Sequence, residues 1–403
     1  MHPELFTLPV VGINIKTYGF FLTVGFLGAV WLAMRRANRV KVDPDRVLDI
    51  SFLALIFGVS GARLFFVMHY WKTDFAGAEN VFFRIIDIRQ GGLEFLGGFL
   101  GAAIAIVIYL TITKQSARLY LDVLAPSLAW GLAFGRLGCF FNGCCFGGVC
   151  TIEPDHTPRF PWAVEFPYGS PAHARQWEER MVTLPAELIH SSGLHNYPLP
   201  AATLNMPIEK RLEPKGAVED AENALSRARK ADAGESRIAE LKEVLKRRRA
   251  AWKAHERKHG LAALTAAQNF PSRRHPERKT STSELEALSA TATSLPVHPT
   301  QLYSSMHALI LSGMLSAVFY QRKRHGVVIG LLFVCYPVAR ILLEMVRTDN
   351  PHDAAGLTIS QFVSFSMFVG GLAYLFILYK YMPERSPLAD AARTREEEPE
   401  KGK

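Results

Sequence analysis

The chain has 403 residues, about half of them hydrophobic, and a formal net charge of +9. Apolar runs of about 20 residues recur along it, and a helix of that length spans the roughly 30 Å of a bilayer's hydrocarbon core. Seven such runs exclude an ordinary soluble protein. The positive charge lies in short loops and in one insert, with no motif that reads bases, which excludes nucleic acid as a partner.

In chain order, the first run, about 18–34, reads as a retained span rather than a cleaved signal. No basic segment precedes it, no small-residue cleavage site follows it, and it ends in Arg35, Arg36, Arg39 and Lys41. Further spans are predicted at about 47–70, 94–113, 120–141, 303–320, 327–346 and 358–380. The segment 75–93, with Phe75, Val81, Phe82, Phe83, Ile85, Ile86 and Ile88, is too short and polar to cross and is expected to lie along the interface. Basic residues follow spans one, three, five and seven: the Arg35–Lys41 group, then Lys114 and Arg118, then Arg322, Lys323 and Arg324, then Lys380 and Arg385. Those loops are assigned to the cytoplasm, so the N-terminus is periplasmic and the C-terminus cytoplasmic.

Between spans four and five lies a large charged insert, assigned to the periplasmic side. Its first part, with Pro154, Pro158, Pro161, Pro167 and Pro171, is expected to be irregular. Its second part, near 216–259, is predicted to be helical, with Val218, Leu225, Ile238, Leu241, Val244 and Leu245 as sparse apolar positions. A helical hairpin or short coiled coil fits this pattern, and so does a solvated, partly disordered insert. Segment 270–296 reads as a linker and the tail after 384 as disordered. The fold expected is an all-α polytopic membrane protein. Residues 1–150 carry spans one to four, 151–296 the insert, 297–383 spans five to seven, and 384–403 a cytoplasmic tail.

An ionisable side chain inside a span is costly, which makes it a functional candidate by default. Arg63 lies in span two, Glu94 opens span three, Arg136 lies in span four, and Arg340, Glu344 and Arg347 lie in span six. Arg340 and Glu344 are four residues apart and share a helix face with Tyr336, and Arg347 extends the stripe. That row faces a cavity or a partner helix. It is either an ion pair locking helices together or an anion site whose carboxylate orients an arginine fork toward phosphate oxygens. Span four ends in a run from Gly135 to Gly148 whose glycines permit close backbone approach to a ligand or to another helix. Arg136 and Asn142 among the glycines favour the ligand.

The ordered set of motifs resembles the prolipoprotein diacylglyceryl transferase family. It comprises Tyr18-Gly19, the GG-x-x-F-x-GG run at 91–98, GR-x-G-x-F-x-NG-x-x-x-G at 135–147, HP-x-QLY at 298–303, and Y-x-x-x-R-x-x-x-E-x-x-R at 336–347. The likeness covers roughly 1–150 and 296–383 and leaves out the charged insert. It implies a bacterial inner-membrane enzyme that moves the diacylglyceryl group of phosphatidylglycerol onto the lipobox cysteine thiol of a prolipoprotein, releasing glycerol phosphate. Its partners would be phosphatidylglycerol, prolipoprotein signal peptides and membrane lipids, with no metal or organic cofactor. By position, Arg136, Arg340 and Glu344 are the catalytic candidates. Tyr18, Gly97, Gly98, Asn142, Gly143, Gly147, His298, Gln301, Tyr303, Tyr336 and Arg347 are the substrate-binding candidates.

The chain departs from the family pattern in places. Leu96 stands where a histidine, proposed as the base, is common. Cys139 and Cys144 occupy positions held by Asn and Glu in some members, and Ser304 follows Tyr303 where an acidic residue is common. His298 and Glu94 are candidate replacement bases, and an arginine-rich field that lowers a thiol's pKa is an alternative. Cys139, Cys144, Cys145 and Cys150 lack the paired C-x-x-C spacing of a metal site and have no histidine among them. Small apolar packing leads for them, followed by a disulfide near the oxidising face. Two other functions fit the sequence: a family member that binds lipid or lipoprotein without catalysis, and a transporter. No pair of similar halves supports the latter.

Overall fold

A computed structural model describes the chain except residues 1–3, 9–12, 77–79, 89–90, 153–156, 193–194, 207, 232–233, 262, 265–267, 269–279, 348–357 and 387–403. Most of the expected tail and the first part of the expected linker therefore lie outside the described residues. Residues Gly148–His298 form one compact unit, and the flanking stretches, to Gly147 and from Pro299, form the other.

The flanking unit opens with an antiparallel hairpin, β1 (Glu4–Leu8) and β2 (Ile13–Lys16). Helices α1 (Thr17–Arg39), α2 (Pro44–His69), α3 (Val81–Ile86), α4 (Phe95–Ile112) and α5 (Ala117–Asn142) follow. The other unit carries β3 (Thr151–Ile152), β4 (Thr157–Pro158), α6 (Pro171–Glu178), β5 (Ile189–Ser192), β6 (His195–Pro198), α7 (Ala201–Leu204), α8 (Ile208–Lys230), α9 (Glu235–His259) and α10 (Thr282–Thr291). Three helices, α11 (Thr300–Gln321), α12 (Val327–Val346) and α13 (Ile359–Tyr381), complete the first unit.

Seven of these helices, α1, α2, α4, α5, α11, α12 and α13, are long and apolar enough to cross a membrane. The chain is a multi-pass membrane protein. Their outward faces carry Leu27, Trp31, Phe52, Ile104, Ile310 and Phe365, each more than half exposed, the reverse of a soluble helix. Local signals set the ends. Asp43 accepts from the Asp45 amide ahead of Pro44, and Ser116 caps α5 through the Leu119 amide. Thr358 and Gln361 form a capping box on α13. Gly143, at φ 72°, ends α5 in the left-handed conformation that glycine adopts without penalty.

Helix α5 is central. Its buried residues Tyr120, Val123, Leu124, Ala125 and Ala129 meet Ala33 and Ala37 of α1, Leu311, Leu315 and Phe319 of α11, and Val328, Ile329 and Leu332 of α12 in one core. Three arginines in or beside the spans prove to be structural. Arg36 donates to Ser127 Oγ (2.7 Å) and Ser316 Oγ (2.9 Å), tying α1 to α5 and α11. Arg322 pairs with the buried Asp122 at 2.8 Å. Arg63 spends its guanidinium on backbone carbonyls: Ile85 at 2.8 Å, Arg84 at 2.6 Å, Asp87 at 2.9 Å, Gly91 at 3.1 Å and Gly92 at 2.9 Å. Its charge within span two is thus explained by a latch on the end of α3 and the segment after it. In the stretch 75–93, Phe82, Phe83 and Ile86 are exposed and Phe75 is buried.

Helices α2 and α4 cross where glycines remove side chains. A Cβ on Gly97 would run into the Gly61 carbonyl and Phe65, and one on Gly98 would sit 3.1 Å from the Gly58 carbonyl. Gly97→Val should therefore lower stability by about 1–3 kcal/mol through overpacking. Gly370→Ala, whose Cβ meets nothing within 4 Å, should leave it unchanged or slightly raised. Unfolding in mixed micelles measures both, and an unaltered Gly97→Val midpoint would contradict the seam.

In the unit 148–298, Tyr168, Leu188, Leu199, Leu204, Leu264 and Leu285 form a small core. Leu285 belongs to α10, which the linker reading of 270–296 missed. The signal was present: Ser281 caps the helix through the Glu284 amide, a Ser-x-x-Glu start. The proline-rich opening is less irregular than expected, since it holds α6 and two short strand pairs. Helices α8 and α9 pair as a hairpin, one of the two readings the sequence allowed, around Leu225 and Leu245 with Val218, Ile238 and Leu241 against them. Val244 is exposed instead.

Candidate functional site

The C-terminal end of α5 brings several of the predicted residues together. Tyr18 opens α1 and lies against Gly138, whose absent Cβ would stand 3.0 Å from the Tyr18 ring and 3.3 Å from its Cα. Helix α12 supplies the rest. Arg340 Nη1 meets Glu344 Oε2 at 2.6 Å, and Arg347 Nη1 lies 3.9 Å from the same oxygen. The other Glu344 oxygen accepts from Thr358 Oγ1 at 3.0 Å, so the N-cap of α13 also holds the carboxylate. Glu344 is buried, and the side chains of Arg340 and Arg347 are only 12% and 7% exposed.

Arg136 differs from every other interior arginine. It is half-buried, and among the described residues its guanidinium has no hydrogen bond or ion pair. Its charge acts on Tyr18, on Cys145 and on Arg340, and Tyr336 also acts on Arg340. Arg340 and Arg347 thus flank one carboxylate, and Arg136 is near enough for its charge to act on Arg340, an arrangement of net positive charge in a low-dielectric setting. Such an arrangement attracts an anion with several oxygens, for which the arginine fork is suited.

The turn after α5 is held from α11. Gln301 Nε2 donates to the Cys144 carbonyl at 2.7 Å, and Thr300 Oγ1 to the Cys145 carbonyl at 2.7 Å. Gln301 is buried, and its Oε1 accepts no hydrogen bond among the described residues. Gly143 and Gly147 are buried in this turn, whereas Asn142 is exposed. Tyr303 is partly buried one turn along α11. The thiols of Cys139, Cys144 and Cys145 converge here, their sulfurs within 4.8 Å of one another. Cys144 Sγ donates to the Cys139 carbonyl at 3.7 Å, and the charges of Arg347 and Arg136 act on Cys145.

Other predicted positions stand elsewhere. Gly97 and Gly98 serve the α2–α4 seam, so packing accounts for them without a ligand. Leu96 is half exposed on α4. Glu94 is engaged with His69, Nδ1 to Oε1 at 2.8 Å. His298 belongs to the unit 148–298, where its ring lies 5.5 Å from that of Phe160. Burial and the nearby Arg159 charge hold its imidazole below the ordinary histidine range, hence neutral at pH 7.

The sequence profile of the prolipoprotein diacylglyceryl transferase family matches residues 3–203 and 256–377. The chain belongs to this family. Its relatives include the phosphatidylglycerol–prolipoprotein diacylglyceryl transferase of Rhodopirellula baltica, 28% identical over 397 residues, which cover 92% of this chain and 73% of the relative. The enzyme of the same name from Salmonella arizonae is 34% identical over 233 residues, 54% of this chain and 74% of the relative. That of Escherichia coli O1:K1 is 35% identical over 170 residues, 41% and 53% respectively. The family match reaches well into the insert, which the sequence motifs alone had left out. The unmatched stretch, 204–255, coincides closely with the α8–α9 hairpin.

Proposed function

We propose that this protein transfers the diacylglyceryl group of phosphatidylglycerol to the cysteine thiol of prolipoproteins, with the arginines at the outer end of α5 as the phosphate site. The membership in the transferase family supports the reaction. The observation that supports the site is Arg136, a charge left unneutralised beside the Arg340–Glu344 pair.

The chemistry follows from what the residues can do. The thiol sulfur attacks the glyceryl carbon, the carbon–oxygen bond to phosphate breaks, and glycerol phosphate leaves with the electron pair. Arg136 and Arg340 would clamp that phosphate and offset the charge as it grows in the transition state. Glu344, itself fixed by Thr358, would keep the Arg340 fork aimed and stop it collapsing onto other acceptors. Arg347 adds field without needing to touch the lipid. Tyr18, Asn142, Gln301, Tyr303 and Tyr336 would line the headgroup path, with Gly143 and Gly147 letting backbone come close. This reading places the enzyme in the bacterial inner membrane, N-terminus out, with its insert in the periplasm and the lipobox of a signal peptide as acceptor.

Complementation tests it. Expression of this chain in cells depleted of their own transferase should restore growth and lipoprotein maturation. A membrane-inserted protein that fails to do so would sink the reading. The α8–α9 hairpin should be dispensable, because the chain on either side of it already meets: the Thr203 hydroxyl donates to the His259 carbonyl, and Gly260 lies against Pro200. Replacing 208–258 by a short Gly-Ser loop should keep most of the transfer in an in vitro lipid assay, and loss of transfer would assign the hairpin a part in substrate docking.

A further inference from the structure

The thiols of Cys139 and of the adjacent pair Cys144 and Cys145 meet in one place. The sulfurs of Cys139, Cys144 and Cys145 lie within 4.8 Å of one another, and no pair is joined in a disulfide. Cys144 and Cys145 are adjacent, so in extended chain their side chains would point to opposite sides. Here Cys145 takes φ 59°, a conformation rare for a residue with a side chain, and both thiols turn toward Cys139 in the last turn of α5. The turn is fixed on three sides, by the Cys144 amide on the Cys139 carbonyl at 3.2 Å and by the donors from Gln301 and Thr300. Packing of small apolar groups requires none of this convergence.

We propose that Cys139, Cys144 and Cys145 bind one zinc ion as thiolates and leave its fourth position to the thiol of the incoming prolipoprotein cysteine. The second half of this proposal rests on the transferase reading, and the first half does not. Sulfur donors select zinc or copper(I) among common ions, and a zinc site with three protein ligands keeps a place for substrate. Zinc–sulfur bonds of about 2.3 Å put tetrahedral sulfurs roughly 3.8 Å apart, so the cluster needs to contract by no more than about 1 Å. Three thiolates and Zn²⁺ carry a net charge of −1, which becomes −2 when a fourth thiolate joins. Arg136 and Arg347, whose charges already act on Cys145, offset it.

This arrangement answers the gap at Leu96. A thiol bound to a cation is deprotonated by coordination, so no histidine has to accept its proton. The proton passes to solvent as the thiol binds. The zinc-held sulfur then forms its bond to the glyceryl carbon while the carbon–oxygen bond breaks and its electron pair leaves on the phosphate of glycerol phosphate. The product is a neutral thioether, a weaker ligand than a thiolate, and it departs. Zinc remains Zn²⁺ throughout.

The test uses the purified full-length protein in detergent, with Co²⁺ as a coloured stand-in for Zn²⁺. The expected result is about one Co²⁺ per chain with an intense sulfur-to-cobalt absorption. Cys139→Ser, Cys144→Ser and Cys145→Ser should each weaken it, whereas Cys150→Ser and Cys335→Ser should not. A lipobox peptide should strengthen the band and its serine analogue should not. Stripping zinc with a chelator should lower transfer from phosphatidylglycerol by about a hundredfold or more, and added zinc should restore it. Equal cobalt uptake by wild type and a triple Cys→Ser variant, a disulfide among the three in the isolated protein, or full transfer after stripping would overturn the proposal. Melting curves of the metal-free variants separate lost ligands from lost fold. Cobalt held by the three cysteines with no transfer in any zinc-loaded preparation would overturn the substrate half and the transferase reading together, leaving the metal site.

Discussion

Replacing Arg136 by alanine should cut diacylglyceryl transfer by at least about a hundredfold while the protein still inserts and accumulates. The magnitude follows from removing one preorganised charge aimed at a developing oxyanion, worth about 2.7–4 kcal/mol in comparable sites. The intact protein level follows from the structure. Arg136 has no hydrogen bond or ion pair among the described residues, so its loss strands no partner. Indeed its removal lessens the repulsion felt by Arg340. Arg136→Lys should recover only part of the rate, because an ammonium cannot present the bidentate fork. Arg340→Ala should reduce transfer to a similar degree but at a cost in stability, since it removes the guanidinium 2.6 Å from the buried Glu344 carboxylate. Initial rates in mixed micelles, normalised to folded protein, measure both. A near wild-type rate in Arg136→Ala would show that the phosphate binds elsewhere.

The contrast between arginines shows how much of this site the sequence carried. All seven spans were legible, because length and apolarity decide a membrane helix locally. The stripe of Tyr336, Arg340, Glu344 and Arg347 was legible too, because the helical period alone puts those residues on one face. Which arginine is functional was not legible. Arg63 and Arg136 look alike as charges inside spans, yet Arg63 is consumed by the carbonyls of residues 84–92, more than 20 positions away, and Arg136 is not. Arg322 reads from its neighbours as a cytoplasmic topology charge, yet it is buried on Asp122, and Asp122 was itself an overlooked ionisable residue within span four. The glycines divide in the same way: Gly97 and Gly98 serve helix crossing and Gly143 serves a turn. The cysteines are the largest departure, because no spacing rule relates position 139 to positions 144 and 145. A helix end and one left-handed residue bring them together.

Asp122→Ala should be the most destabilising single change outside the site, by about 3–5 kcal/mol. Asp122 is fully buried and holds three things at once: Arg322 Nε at 2.8 Å, the Gly326 amide at 2.8 Å and the Ile329 amide at 3.0 Å. The two amides belong to the start of α12, whose first turn has no partners of its own. Alanine would strand a buried cation and two buried donors, and it would loosen the helix that carries Arg340 and Glu344. Asn at this position can still accept from the amides, so Asp122→Asn should lose less. A paired change, Asp122→Leu with Arg322→Met, should recover part of the loss by removing both charges, although the amides stay unsatisfied. Unfolding in mixed micelles gives the three values, and a ΔΔG below about 1 kcal/mol for Asp122→Ala would show that water reaches and solvates the pair. The same variant separates the two kinds of interior arginine. Asp122→Ala should lower the amount of folded protein more than the transfer per folded molecule, whereas Arg136→Ala should lower transfer per folded molecule and leave the amount of protein intact.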